Sequence, residues 1–230
     1  MAPARPADAR SAAAGRGPRR PRPTPPSLGG LEGRDPADVD WDAGLDGARV
    51  VGADLSGRRL DGVTWQESEL VDLRADGARW EGCRLLDVRL DRLDAPDLLA
   101  PGSTWRDSEV LGSRVGALGL HGAKVTSLRV AGSKVDYLNL RGAEVADLVL
   151  EDCTIGELDL ADARLARVSL DGCTIGTLDV RAAGLVDVDL RGARLDAVDT
   201  PAGLRGATVT HAQLLDLAPA LAREAGLLVD

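Results

Sequence analysis

From Leu45 onward every fifth residue is apolar, running through Val50, Leu55, Leu60, Trp65 and Leu70 to Leu190 and Leu195. Of the 32 such positions from 45 to 200, 28 are Leu, Val, Ile or Trp, and the exceptions are Ala75, Ala95, Ala100 and Thr200. A helix of 3.6 residues per turn would smear these side chains around its surface, and a straight strand would send alternate members to opposite faces. A five-residue unit that turns a corner each time keeps them all inside. The residue two before each centre adds a second rhythm, alternating large with small: Leu118, Ala123, Leu128, Ser133, Leu138, Ala143, Leu148, Cys153. One coil must therefore hold a multiple of ten residues. Ten cannot enclose a packed interior, whereas twenty can, and residues 151–170 and 171–190 share ten of twenty positions without a gap. The pattern predicts a four-sided solenoid whose coils contact only their neighbours.

The small-x-Leu units such as Ala53-Asp54-Leu55 and Ala193-Arg194-Leu195, with frequent Gly-Ala and Gly-Cys pairs, resemble the pentapeptide repeat proteins over about residues 43–209. The resemblance implies an all-β fold, a right-handed quadrilateral parallel β-helix with four pentads per coil, here about eight coils. Two features depart from that family's pattern. Phe, common at its central position, is absent, and Arg or Lys often stands just before the centre in place of Asp or Asn.

Residues twenty apart should then stack as neighbouring strands do, about 4.8 Å apart. This places Ile155 over Ile175, Leu140 over Leu160 and Cys153 over Cys173, the last pair expected as a reduced, buried ladder. Volume is conserved within pentads: Leu73 accompanies Ala75, while Ala78 precedes Trp80 and Ser103 precedes Trp105. Trp65, Trp80 and Trp105 are accordingly expected in the core. Leu93–Thr104, with Pro96 and Pro101, is predicted to be a bulged coil with its prolines at corners or at gaps in the pairing.

Three segments follow: a Pro/Arg/Ala-rich tail at 1–34, the repeat body at 35–209 and a helical cap at 210–230. The tail holds seven of the twelve prolines and little to bury, so it is expected to be disordered. After Asp199 the phase slips by one, and Thr210 and Gln213 form a T-x-x-Q capping box that predicts a helix, with Pro219 opening a second short one that ends near Gly226. Leu214, Leu215, Leu217 and Leu221 are expected to close the end. The resemblance adds a homodimer through that end as an alternative role for these leucines.

Charge separates the segments. The net charge is −9, of which the tail carries +5 and the remainder −14. No stretch is long and apolar enough for a bilayer and no secretory signal is visible, so a cytoplasmic location is expected. Cys83, Cys153 and Cys173 lack metal-ligand spacing. His121 and His211 are isolated at a corner and at the start of the capping helix. No catalytic, cofactor or metal site is expected, and the glycines of pairs such as Gly142-Ala143 are expected at corners.

A binding role remains. The resemblance implies one candidate, since several fluoroquinolone-resistance pentapeptide proteins are acidic rods that imitate B-form DNA and occupy the DNA site of DNA gyrase or topoisomerase IV. Eight coils give a rod of roughly 38 Å, and duplex DNA of that length bears about 22 negative charges, whereas residues 43–202 sum to −9 with both signs interspersed. The sequence therefore favours a rigid protein-interaction module with an unidentified protein partner. DNA mimicry towards a type II topoisomerase is the alternative, with a local acidic strip at Asp35, Asp38, Asp40 and Asp42. Direct nucleic-acid binding by the acidic body is not expected.

Overall fold

Each pentad contributes two inward residues, its centre and the residue two before it, and one bend, and four bends close a turn. The computed structural model describes residues 17–228. Its body is a right-handed parallel β-solenoid of about 9 turns, followed by one C-terminal helix. Parallel pairing advances by twenty residues per turn: Ile155 pairs with Ile175, Leu158 with Leu178, and Val145 with Leu165. The strands form two sheets, one of eleven strands and one of seven. The larger sheet contains eight-residue strands such as Thr64–Val71, Lys124–Ala131 and Arg164–Asp171. The smaller contains six-residue strands such as Lys134–Asn139 and Thr154–Asp159.

The eight-residue strands span two faces because each bends in mid-course. At the bend the backbone enters the left-handed region at Glu67, Asp87, Asp107, Ser127, Asp147 and Arg167, and at Asp187 in the six-residue strand Gly184–Asp189 that continues this sheet. Short polar side chains tolerate that conformation because they can satisfy the backbone locally. Arg167 at these bends, and Arg92 at the corner that follows Arg84–Asp91, are bulkier exceptions at φ 57° and 56°. Each reaches back one coil to a carboxylate that is also on a left-handed residue: Arg92 Nε donates to Asp72 at 2.6 Å, and Arg167 Nε to Asp147 at 2.8 Å.

The inward residues form one continuous column. Leu140, Leu160, Ile155, Ile175, Cys153, Cys173, Trp65, Trp80 and Trp105 are all buried within it. Ser103 is small enough to sit beside Trp105, and its hydroxyl accepts the indole N–H at 2.9 Å while donating to the Ala100 carbonyl. Near the N-terminal end Trp41, Trp65 and Trp80 pack edge to face, with centroids 6.0 and 4.8 Å apart. Trp41 closes that end, its indole N–H donating to the Pro36 carbonyl. The segment predicted to bulge instead keeps the twenty-residue register, with Asp94 opposite Arg114 and Leu98 opposite Leu118. Pro96 falls in a gap of that pairing and Pro101 lies in a turn, so neither costs a ladder hydrogen bond.

Two terminal segments differ from expectation. Residues 17–34, read as part of a disordered tail, lie extended against the body and finish in a short strand, Glu32–Arg34, paired with Ala48–Val50. Contacts from backbone N–H groups to body side chains supply what the segment lacks in apolar burial. Residues 1–16 of that tail lie outside the described residues. At the other end there is one helix, α1 (His211–Glu224), with Pro219 inside it. A proline in the ninth position of a helix removes one hydrogen bond without ending it when the helix is already nucleated by a complete capping box. That box is present: Thr210 Oγ1 accepts from Gln213 N and Gln213 Oε1 from Thr210 N.

The phase slip is visible as a nineteen-residue step, Val188 pairing with Ala207. Gly206 makes it feasible, because its φ is +95° and a methyl there would fall 2.1 Å from the Leu185 carbonyl oxygen. Gly206→Ala is expected to destabilise the C-terminal end by about 1–3 kcal/mol. Faster hydrogen exchange confined to the last coil would check this.

Candidate interaction surfaces

With the core inward, everything available for recognition lies on the four sides, the corners and the two ends. His121 and His211 are exposed and separate. Among the described residues no group of His, Cys, Asp and Glu is arranged to hold a metal ion. Burial pushes the Cys83 thiol up to about 11. Cys173 is pushed up by its hydrogen bond with Cys153 and by burial. All three thiols are free and enclosed in the core.

One side carries a ladder of alternating charge at a twenty-residue spacing. Arg49 meets Glu69 at 2.7 Å, Arg89 bridges Glu69 at 3.3 Å and Glu109 at 2.9 Å, and Arg129 bridges Glu109 at 3.6 Å and Glu151 at 2.7 Å. The register creates it, since residues twenty apart stack directly, as Arg89 does opposite Glu109. The Glu109 side chain is only 9% exposed. Its charge is thus matched internally rather than presented to solvent.

A second polar cluster lies on the smaller sheet. Asp159 is 1% exposed, accepts from the Tyr137 hydroxyl at 3.1 Å and pairs with Arg141 at 2.8 Å. Asp179 pairs with Arg181, which holds its carboxyl below the usual carboxylate range. Asp147 is held low in the same way by Arg167. A carboxylate with a depressed folded pKa contributes stability that is complete above the unfolded value, about 3.9, and is lost as pH falls through the folded value. The melting temperature should therefore hold from neutral pH down to about 4 and fall below it. A melting series across that range checks the sign.

The corner bearing the left-handed residues is occupied by residues 18–27. Arg19 N and Nε donate to Asp187 at 3.1 and 2.7 Å, and Arg22 N donates to Asp147 at 3.2 Å. Thr24 N donates to the Ser127 hydroxyl at 2.7 Å, which returns a bond to the Thr24 carbonyl, and Ser27 N donates to Asp87 at 3.1 Å. The sequence signal for this seat was a set of short polar residues at multiples of twenty.

At the C-terminal end, Gln213 Nε2 donates to the Leu190 and Ala193 carbonyls, both at 2.7 Å, tying α1 to the last coils. Leu217 and Leu221 are half-buried, and Leu217 lines a cleft with Leu195 and Val198. Leu214 and Leu215 face solvent, 45% and 61% exposed. Only two of the four leucines expected as an end seal therefore turn inward. Pro201 is buried and Leu204 packs against the core, so the chain between the strands Arg194–Asp199 and Ala207–Thr208 supplies the rest of the cover.

No family model and no curated protein matches the chain. Among solved structures it is similar to QnrB1, described as a plasmid-mediated fluoroquinolone resistance protein. The full-length QnrB1 structure is 16% identical, with the match covering 83% of this chain and 99% of that one at a TM-score of 0.34. A trypsin-treated form is 15% identical over 79% and 98% of the two chains, at a TM-score of 0.30. The chain's own twenty-residue register, cornered strands and inward column make its architecture a four-sided parallel β-helix built of five-residue units.

Proposed function

We propose that the protein is a non-catalytic scaffold that presents the sides of a rigid rod to a protein partner. The observation that carries this reading is the internally matched ladder Arg49–Glu69–Arg89–Glu109–Arg129. A surface patterned in alternating charge recognises a partner by complementary pattern and excludes wrong ones by like-charge contact. Imitation of DNA needs the reverse, a run of carboxylates left unneutralised, and here arginines one coil away neutralise Glu69, Glu109, Asp72 and Asp147. Crosslinking and supercoiling distinguish a scaffold from a DNA mimic. Photo-crosslinkers placed singly at exposed sites on each side should join one protein from one side only, while supercoiling by DNA gyrase stays unchanged at excess protein. Stoichiometric inhibition of supercoiling, or crosslinks spread equally over all sides, would contradict the scaffold reading.

A further inference from the structure

We infer that the corner bearing Asp87, Ser127, Asp147 and Asp187 is a binding groove for an extended proline- and arginine-rich polypeptide, and that residues 18–27 are its ligand in cis. Spacing is the first support. A polyproline II chain rises about 9.3 Å in three residues, and two coils of the solenoid span about 9.6 Å. Arg19 and Arg22 engage Asp187 and Asp147, two coils apart, and Thr24 and Ser27 engage Ser127 and Asp87, again two coils apart. From Arg19 to Ser27 eight residues cover five coils, about 25 Å of polyproline II chain against about 24 Å of solenoid.

Composition is the second support. The segment reads PRRPRPTPPS, and its donors are all non-proline residues. Pro26 is buried and Pro18, Pro21 and Pro23 are half-buried, whereas Arg19, Arg22, Thr24 and Ser27 are exposed. Proline suits the buried positions because it has no N–H to leave unpaired and its fixed φ lowers the entropy lost on docking. The acceptors are equally uniform. Asp87, Ser127, Asp147 and Asp187 all have φ between 55° and 63°, so every acceptor used stands on the same outward-turned corner. The two intervening rungs have partners of their own, Asp107 with Arg106 and Arg167 with Asp147. The groove therefore reads donors at a spacing of three, two and three residues, with arginine opposite Asp187 and Asp147 and serine opposite Asp87.

This inference rests on the scaffold reading and names one ligand class for it. A partner bearing such a segment must displace the tail, which as a tethered ligand competes at an effective concentration of about millimolar. The test uses the full chain. In the double variant Arg19→Glu, Arg22→Glu the tail is repelled from Asp187 and Asp147, and a fluorescein-labelled synthetic peptide with the sequence of residues 17–29 is titrated by anisotropy. It should bind the variant at least about tenfold more tightly than the wild type. Adding Asp147→Asn to the variant should weaken that binding. Equal binding to wild type and variant, or no binding to a variant with wild-type melting, would overturn the inference. In the wild type, the amides of Arg22, Thr24 and Ser27 should exchange more slowly than in the free peptide, and equal rates would overturn it as well. Both readouts are independent of the crosslinking pattern on the flat sides, so the scaffold reading stands or falls separately.

Discussion

Deleting the single residue Glu157 should unravel the solenoid, whereas deleting all of 151–170 should leave it folded. Glu157 is exposed and sits in a strand whose neighbours are held by a strict twenty-residue step. Removing it moves Leu158, Leu160, Leu165, Leu170 and Ile175, all buried, one place along the chain. A one-residue slip in a strand exchanges its inner and outer faces. Each Leu or Ile so exposed forfeits about 1.5–3 kcal/mol, and a handful together exceed the whole stability of a typical domain, about 5–15 kcal/mol. Removing 151–170 instead joins Leu150 to Asp171 in phase, so that Thr174–Asp179 can take the place of Thr154–Asp159 opposite Lys134–Asn139. One coil and its interface are lost. Far-ultraviolet circular dichroism and urea unfolding of the two deletions give the comparison, with a cooperative transition expected only for the longer one. The natural slip before Ala207 is tolerated because one two-residue strand is all that follows it in the sheet.

Leu140→Ala should lower stability by about 2–5 kcal/mol, and Leu140→Asp should abolish the folded state. Leu140 is 2% exposed and lies in the middle of the column, near Leu120 and Leu160, where no end can relax around it. The alanine variant loses transfer energy and gains a cavity. The aspartate variant adds a carboxylate with no cation in the column to pair with, a cost of several kcal/mol beyond the cavity. Arg141→Ala, one residue away but outward and 45% exposed at its side chain, is the contrast. It should cost more than an ordinary surface change because it strips Asp159 of its cation, yet the chain should still fold. Urea midpoints for the three variants rank these effects.

The period, the coil length and the inward column were legible because one physical rule generates them: a residue buried in a square coil recurs every five positions, and its stacked neighbour every twenty. The small-large alternation was equally direct, since Ser103 beside Trp105 and Ala78 beside Trp80 are a volume constraint written in sequence. The charge ladder was half legible. Summing charge over residues 43–202 concealed that Arg49, Glu69, Arg89, Glu109 and Arg129 alternate one coil at a time, which the twenty-residue step already implied. The docked tail was not legible, because its bonds run from backbone N–H groups to side chains 60 to 168 residues away, and low hydrophobicity alone reads as disorder. Pro219 misled for a related reason, in that proline marks helix starts on average while a helix anchored by Thr210 and Gln213 can carry one inside.

The sides, the corners and the groove all depend on twenty residues making one turn. Spin labels at the exposed positions 84 and 164, four turns apart, and at 84 and 184, five turns apart, measure this directly by electron-electron resonance, the native cysteines being buried. The separations should be about 19 Å and about 24 Å, allowing for the label tethers, rising by about 5 Å per added turn. Separations that fail to rise in that step, or that place 84 and 184 closer than 84 and 164, would contradict the account.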